Sequence, residues 1–255
     1  MIELTDVRRE FGTPGKGSFV ALSAINLVVE AGEFVSLLGA SGCGKSTLLR
    51  IIGGLDRPSS GVVRVKDGKA RAGFQDIGTV FQRPILLPWL TVLENVTYPA
   101  RAIGIRGRAT DERARELLDM VGLARVADQY PDSLSGGMQQ RASICRALVL
   151  DPGILIMDEP FSALDAMTRE ELQFELMKLH QKTRKTIVFV THSISEAILM
   201  STRIAVMAPA PGRIAEDIAV GLGFPRTLDT LNQPEAVRID GLIRSHIYGP
   251  RTQGA

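Results

Sequence analysis

Residues Gly39–Thr47 read GASGCGKST, which places Gly39, Gly44, Lys45 and Ser46 at the fixed positions of a G-x-x-x-x-G-K-[ST] spacing. An apolar run precedes the loop and a helical pattern follows it, the context in which this spacing cradles phosphate. Backbone N–H groups of Gly39, Ala40, Ser41, Gly42, Cys43 and Gly44 can turn inward to make an anion-binding concavity. The helix beginning at Lys45 adds the positive end of its dipole. An ammonium at Lys45 suits the β- and γ-phosphates of a nucleoside triphosphate, a hydroxyl at Ser46 suits Mg²⁺, and Thr47 suits the α-phosphate. Cys43 sits beside a helix N-terminus, a setting that favours the thiolate. Alkylation of this thiol is therefore expected to block nucleotide hydrolysis, with bound nucleotide protecting.

A second group of reactive residues follows apolar runs further on. In ILIMDEP, Asp158 and Glu159 come directly after a strand-like segment, and adjacent carboxylates there are costly unless a cation or a reaction uses them. Asp158 suits Mg²⁺, through a water, and Glu159 suits the alignment or deprotonation of an attacking water. His192 ends the run TIVFVT; it is either a structural strand-end residue or a contact to the terminal phosphate at the same rim. Gln82 in VFQRP is, taken alone, as well explained as a strand-end polar residue. The stretch Leu134–Arg141, LSGGMQQR, opens an apolar helical pattern with two glycines. Glycine is among the poorest helix formers, so its use here implies close approach of something to the first helical turn.

The elements that must carry these residues alternate between strand and helix. Residues 2–7 and 19–38 read as strands, broken by a turn at Glu30–Glu33, and Lys45 to about Ile52 reads as a helix. RPSSG is a turn and VVRVKDG (62–68) a strand and turn, which suggests a small antiparallel sheet. Residues 91–150 read as mostly helical. GILIM (153–157) and TIVFV (186–190) are continuous apolar strands of the kind buried on both faces, separated by a helical stretch over 166–182. That order is a βαβ unit of a parallel sheet. IAVM (204–207) is a further strand, and beyond Pro211 only a short helix from Glu235 is expected.

Composition narrows the class. The chain has 255 residues, 45% hydrophobic and 23% charged, with formal net charge +2, so nothing indicates a nucleic-acid partner. The arginines of RAIGIRGRATDERAR fit a solvated helix face. Its two cysteines form no metal-ligand or disulfide pattern, which fits a reducing compartment. The first residues, MIELTDVRRE, do not read as a signal peptide, and no run is long enough to span a bilayer.

Taken in order, these motifs resemble the ATP-binding subunits of ABC transporters. GASGCGKST looks like Walker A, ILIMDEP like Walker B, LSGGMQQR like the ABC signature, and Ser162–Asp165 (SALD) like the D-loop. Gln82 looks like the Q-loop residue and His192 like the switch histidine, and the match runs from about Ile2 to Met207. The resemblance implies an α/β P-loop NTPase core with a parallel sheet, a small antiparallel β subdomain and an inserted helical subdomain at about 91–150. The ABC ATPase domain would occupy 1–225, with a C-terminal tail at 226–255. It implies a head-to-tail homodimer around two MgATP, in which Leu134, Ser135, Gly136, Gly137 and Gln139 of one chain meet the partner's ATP. Ser162 and Asp165 would form the D-loop. Gln82 would join Ser46 and Asp158 at the metal, and would join Glu159 and His192 in catalysis. An aromatic residue should stack on adenine; Phe11 is the best match, with Phe19 the alternative and a core phenylalanine the plainer explanation. LLPWLTVLENV, THSISEAI, MAPAPGRI and LGFPR resemble the importer group for nitrate, sulfonate and taurine. That group implies a transmembrane permease at the cytoplasmic face of the inner membrane and, indirectly, an extracytoplasmic solute-binding protein. The alternative is an exporter or lipid-transport ATPase. Trp89 falls where the family meets its permease, and a core position would explain it equally well.

Overall fold

The computed structural model describes residues 1–12, 17–65, 68–69 and 76–249. Part of the expected strand and turn at 62–68 (66–67) lies outside them. In chain order the elements begin with β1 (Ile2–Gly12), β2 (Ser18–Val29), β3 (Phe34–Gly39), α1 (Lys45–Ile52), β4 (Ser60–Val65) and β5 (Gly68–Lys69). Next come β6 (Ile77–Val80), α2 (Val92–Ala102), α3 (Arg108–Met120), α4 (Gly136–Leu148), β7 (Ile154–Asp158) and α5 (Ala166–Thr183). The chain continues through β8 (Thr186–Thr191), α6 (Ile194–Met200), β9 (Arg203–Met207), β10 (Ile214–Ala219) and α7 (Pro234–Tyr248). These form two compact units, Met1–Ala72 with Lys182–Ala255, and Gly73–Gln181.

In the first unit, β1 pairs antiparallel with β2 and β4, and β4 with β5. A second layer has β3 between β8 and β9, all parallel. Every residue of β3 and β8 is buried, as expected for strands covered on both faces. The register Leu38↔Thr191 brings the carboxyl ends of β3 and β8 to one level, so the loop after Gly39 and the residue after Thr191 leave the sheet at the same rim. α1 keeps the expected limits, buries Leu48, Leu49, Ile51 and Ile52, and leaves Arg50 exposed.

Two segments differ from the sequence reading. IAEDIA forms β10, an edge strand antiparallel to β9 from Ile214↔Met207 to Ala219↔Arg203. Only Ile218 of it is fully buried, so it lacks the continuous apolar run that reveals the central strands. α7 is also longer than expected, 15 residues with Gly241 tolerated inside it. Ala236, Ile239 and Ile243 of α7 pack with Leu38, Ala197, Ile198, Ile204 and Val206 in one apolar cluster.

Arg226 fastens this layer from within. It is 2% exposed, and its guanidinium donates to the carbonyls of Ile198 (2.6 Å), Ser201 (2.7 Å) and Leu222 (2.7 Å). A cation at the last carbonyls of α6 suits that end of the helix, and Phe224 stacks on the guanidinium at 4.1 Å. Burial lowers the Arg226 pKa to about 10, still charged at neutral pH.

The second unit pairs β6 with β7 in parallel, in the register Val80↔Met157, and adds α2, α3 and α4. The helical expectation for 91–150 is met by these three helices, with a short turn between α2 and α3 and a longer connection over 121–135 before α4. α2 starts at a reciprocal cap, in which the Thr91 hydroxyl accepts from the Glu94 N–H and the Glu94 carboxylate from the Thr91 N–H. Buried Asn95 binds Leu87 through two bonds and the carbonyls of Leu90 and Thr91, fixing the loop that presents Trp89.

Candidate nucleotide site

The loop after β3 is wedged rather than open. Gly44 precedes α1 at φ 97° and Gly42 has φ 79°, conformations that glycine adopts without strain. A Cβ on Gly44 would lie 2.6 Å from Leu22 Cδ2, and one on Gly39 2.7 Å from the Met207 carbonyl and 2.9 Å from Cys43 Sγ. Lys45 is buried, with Nζ donating to the carbonyls of Gly39 (2.8 Å) and Ala40 (2.9 Å). Ala40, Ser41, Gly42 and Ser46 are exposed and Thr47 half-buried. A buried ammonium at the base of exposed loop amides and hydroxyls fits a polyphosphate.

A fourth glycine braces the loop from outside the motif. Gly212, beyond β9, donates its N–H to the Ala21 carbonyl (2.9 Å) and accepts from the Ser23 N–H (2.8 Å). A Cβ there would fall 2.1 Å from the Cys43 carbonyl oxygen. The only sequence signal for this was the Pro-Gly pair in MAPAPGRI.

Cys43 corrects the expectation of a reactive thiol. Its side chain is 1% exposed, turned inward beneath Gly39 and within 3.8 Å of the Lys45 ammonium. Reaction needs access as well as thiolate character. Cys145 is also buried; it donates to the Leu117 carbonyl at 3.3 Å, and burial pushes its pKa up to about 12. Native protein should therefore leave both thiols unmodified by dithiobis-nitrobenzoate over minutes, while denatured chain releases two equivalents, one for each free cysteine. Rapid release of one equivalent from native protein would show that the loop opens.

His192 is exposed at the end of β8, and its neighbours are pinned. The Thr191 hydroxyl donates to Glu196 at 2.6 Å and accepts from the Ser193 N–H at 3.0 Å. The Ser193 hydroxyl caps α6 by accepting from the Glu196 N–H. Phe11 and Phe19 are directly opposed across β1 and β2, so the two alternatives form one exposed aromatic pair, and Arg9 stacks over Phe11 at 4.4 Å.

In the second unit, Asp158 ends β7 and Glu159 follows it, at the level where Gln82 follows β6. Glu159 has φ 43°, a left-handed conformation uncommon for a side-chain-bearing residue, and of the kind that clusters at functional sites. Gln82 Nε2 donates to Glu159 Oε2 at 3.4 Å. Ser162 closes the following turn, its N–H and hydroxyl both donating to the Glu159 carbonyl (3.1 and 3.0 Å). Asp165 accepts from the Thr168 N–H at 3.0 Å, and that bond holds its carboxyl below the usual carboxylate range.

The signature segment divides its tasks. Ser135 caps α4, accepting from the Met138 N–H at 3.3 Å. Ser135 and Gly136 are exposed, and a Cβ at Gly136 would meet nothing within 4 Å, whereas one at Gly137 would be 3.2 Å from Leu164 Cδ2. Leu134 is buried and anchors the turn. The Gln139 amide donates to the carbonyls of Pro131 (3.0 Å) and Leu134 (3.3 Å), so its nitrogen holds the loop together.

The profile of the family described as "ABC transporter" matches residues 22–162. The chain belongs to the ABC transporter family. The nitrate import ATP-binding protein NrtD of Synechocystis sp. is 39% identical over 99% of this chain and 97% of its own. The taurine import ATP-binding protein TauB of Jannaschia sp. is 41% identical over 85% and 81%. The dimeric ATP-binding cassette MJ0796, in a post-hydrolysis state bound to ADP and Pi, superposes with TM-score 0.79 at 38% identity, covering 88% of this chain and 100% of that one. The fold is that of an ABC ATPase cassette, with the antiparallel sheet and helices expected from sequence; the expected parallel sheet is mixed, because β10 joins it antiparallel to β9.

Within this ABC protein, the structure groups Lys45 with Gly39, Gly44 and Cys43, and Gln82 with Glu159 and Ser162. Sequence reasoning missed Gly212 and two polar residues of α4, Gln140 and Arg146. The signal for the latter was their place as polar residues in a helix that carries apolar residues at helical spacing, MQQRASICRALVL.

Proposed function

We propose that this chain is the ATP-hydrolysing subunit of an ABC importer for nitrate, a sulfonate, taurine or a similar small solute, and that it works as a head-to-tail pair around two MgATP. The observation that carries the pairing is the Ser135–Gly136 tip, a capped helix N-terminus facing outward with open space at the glycine. Such a tip suits a phosphate supplied by another chain. The relatives' names favour import of a small solute.

Lys45 binds the β- and γ-phosphates, exchanging the Gly39 and Ala40 carbonyls for phosphate oxygens. Ser46, Asp158 and Gln82 would hold Mg²⁺, which would supply neutralisation of the phosphate charge. Thr47 reaches the α-phosphate, and the Phe11–Phe19 pair offers a stacking surface for adenine. Glu159 takes the proton of the attacking water, Gln82 orients that carboxylate, and His192 donates to the terminal phosphate. The partner's Ser135, Gly136 and Gly137 cap that phosphate with hydrogen-bond donors and the positive end of their helix, and Ser162 with Asp165 lies along the pairing surface. Positioning and charge neutralisation are the main demands of phosphoryl transfer.

No helix among the described residues is long and apolar enough to cross a membrane; in the importer reading a permease provides the membrane span. Trp89, 69% exposed, and Ile85, 59% exposed, form the apolar surface that such a permease would take on the cytoplasmic side. A solute-binding protein would meet the permease on the other side. The ATPase domain spans 1–225, and residues from 226 complete its packing.

Ser135→Arg tests the pairing. It should bind MgATP as the wild type does, yet lose at least about a hundredfold in hydrolysis through loss of charge stabilisation at the phosphate, and form no nucleotide-dependent dimer by light scattering. Wild-type turnover in this variant would exclude the composite site.

A further inference from the structure

Helix α4 is tied to the segment after β6 at three carbonyls, on both sides of Gln82. Gln140 is fully buried and its Nε2 donates to the Phe81 carbonyl at 3.2 Å. Arg146 Nη1 donates to the Ile85 carbonyl at 2.7 Å and Nη2 to the Pro84 carbonyl at 2.8 Å. Ile85 has φ 46°, a strained conformation for a β-branched residue. Its side chain is largely exposed, so its own burial does not offset that strain; a charged donor on its carbonyl does. Gln82 lies between these anchors, three residues before Ile85, and donates to Glu159.

Gln140 carries a second clue. Its Oε1 is buried and has no hydrogen-bond partner among the described residues. A half-satisfied buried amide costs stability that a leucine of similar volume would not. What the amide gives in return is a fixed position for Phe81.

We propose that Gln140 and Arg146 are positioning residues that fasten the Gln82 loop to α4, so that Gln82 and the Ser135 tip of one chain move as one body. Engagement of that tip with a partner's nucleotide then sets where Gln82 stands against Glu159 in the same chain. This rests on the proposed role of Gln82 in hydrolysis. Neither positioning residue touches nucleotide, so their loss alters geometry and not binding.

The test is a double-mutant cycle in the full chain, reading kcat for MgATP hydrolysis and Kd for MgATP separately. Gln140→Leu and Arg146→Lys, the latter keeping the charge but losing the two-pronged donor, should each lower kcat on the order of tenfold to a hundredfold. Kd should stay within about twofold of wild type. Gln140→Leu should do this without lowering the melting temperature, which a purely structural role does not predict. In a Gln82→Ala background neither substitution should lower kcat further. A loss that adds fully to that of Gln82→Ala, or no loss at all, overturns the proposal while leaving Gln82 in its role. Wild-type kcat in Gln82→Ala itself removes that role, and the positioning role with it. If one substitution prevents folding, the other carries the same cycle.

Discussion

Glu159→Gln should bind MgATP with wild-type affinity and hydrolyse it on the order of a hundredfold to ten-thousandfold more slowly, the range for loss of a general base. The amide is isosteric with the carboxylate and keeps an oxygen that can accept from Gln82 Nε2, so the bond now 3.4 Å long can persist. Glutamine meets the same backbone demand at φ 43°, and the turn closed by Ser162 on the residue 159 carbonyl involves no side chain of residue 159. What is lost is the capacity to hold a proton at Oε2. Chains loaded with MgATP should then accumulate as closed pairs, visible as a doubled mass by light scattering and reversed by removing nucleotide. Turnover above a tenth of wild type would assign the base elsewhere.

Lys45→Ala should fail one step earlier. The buried ammonium donates to two carbonyls of its own loop, and in the proposed complex those donors turn to phosphate. Each charge-assisted bond is worth about 1.5–3 kcal/mol, so loss of two should raise the MgATP Kd by roughly a hundredfold or more. Isothermal titration would measure this, with circular dichroism checking that the fold survives. A Kd within threefold of wild type would mean that the backbone amides alone hold the phosphates. Together the two substitutions separate holding the nucleotide from cleaving it.

Much of this was legible because it is encoded locally. GASGCGKST fixes its chemistry by spacing, and α1 keeps the limits read from the residues because an apolar stripe and the preceding glycine define it. The central strands β3, β7 and β8 were legible as unbroken apolar runs. β10 was not, since an edge strand with one face to solvent needs few buried residues, and IAEDIA looks like loop. The inward turn of Cys43 was equally hidden. Motif spacing says that position 43 lies in the loop, but only the packing of Gly39, Gly44 and Gly212 decides which way its side chain faces. Gln140 and Arg146 escaped for a related reason. They bond to carbonyls, which every residue carries, so no partner in the sequence announces them.

Arg226 has a consequence for what counts as one object. The motifs by which the chain is recognised end near Met207, and the family profile ends at residue 162. Yet the guanidinium that closes the far end of α6, the helix leading away from His192, comes from a segment almost twenty residues beyond the last motif strand. α7, further on still, covers the same apolar cluster. A fragment trimmed to its recognisable part would bare main-chain oxygens and aliphatic surface directly behind His192. The stretch that evolution labels is thus shorter than the stretch that must be synthesised before the label can work.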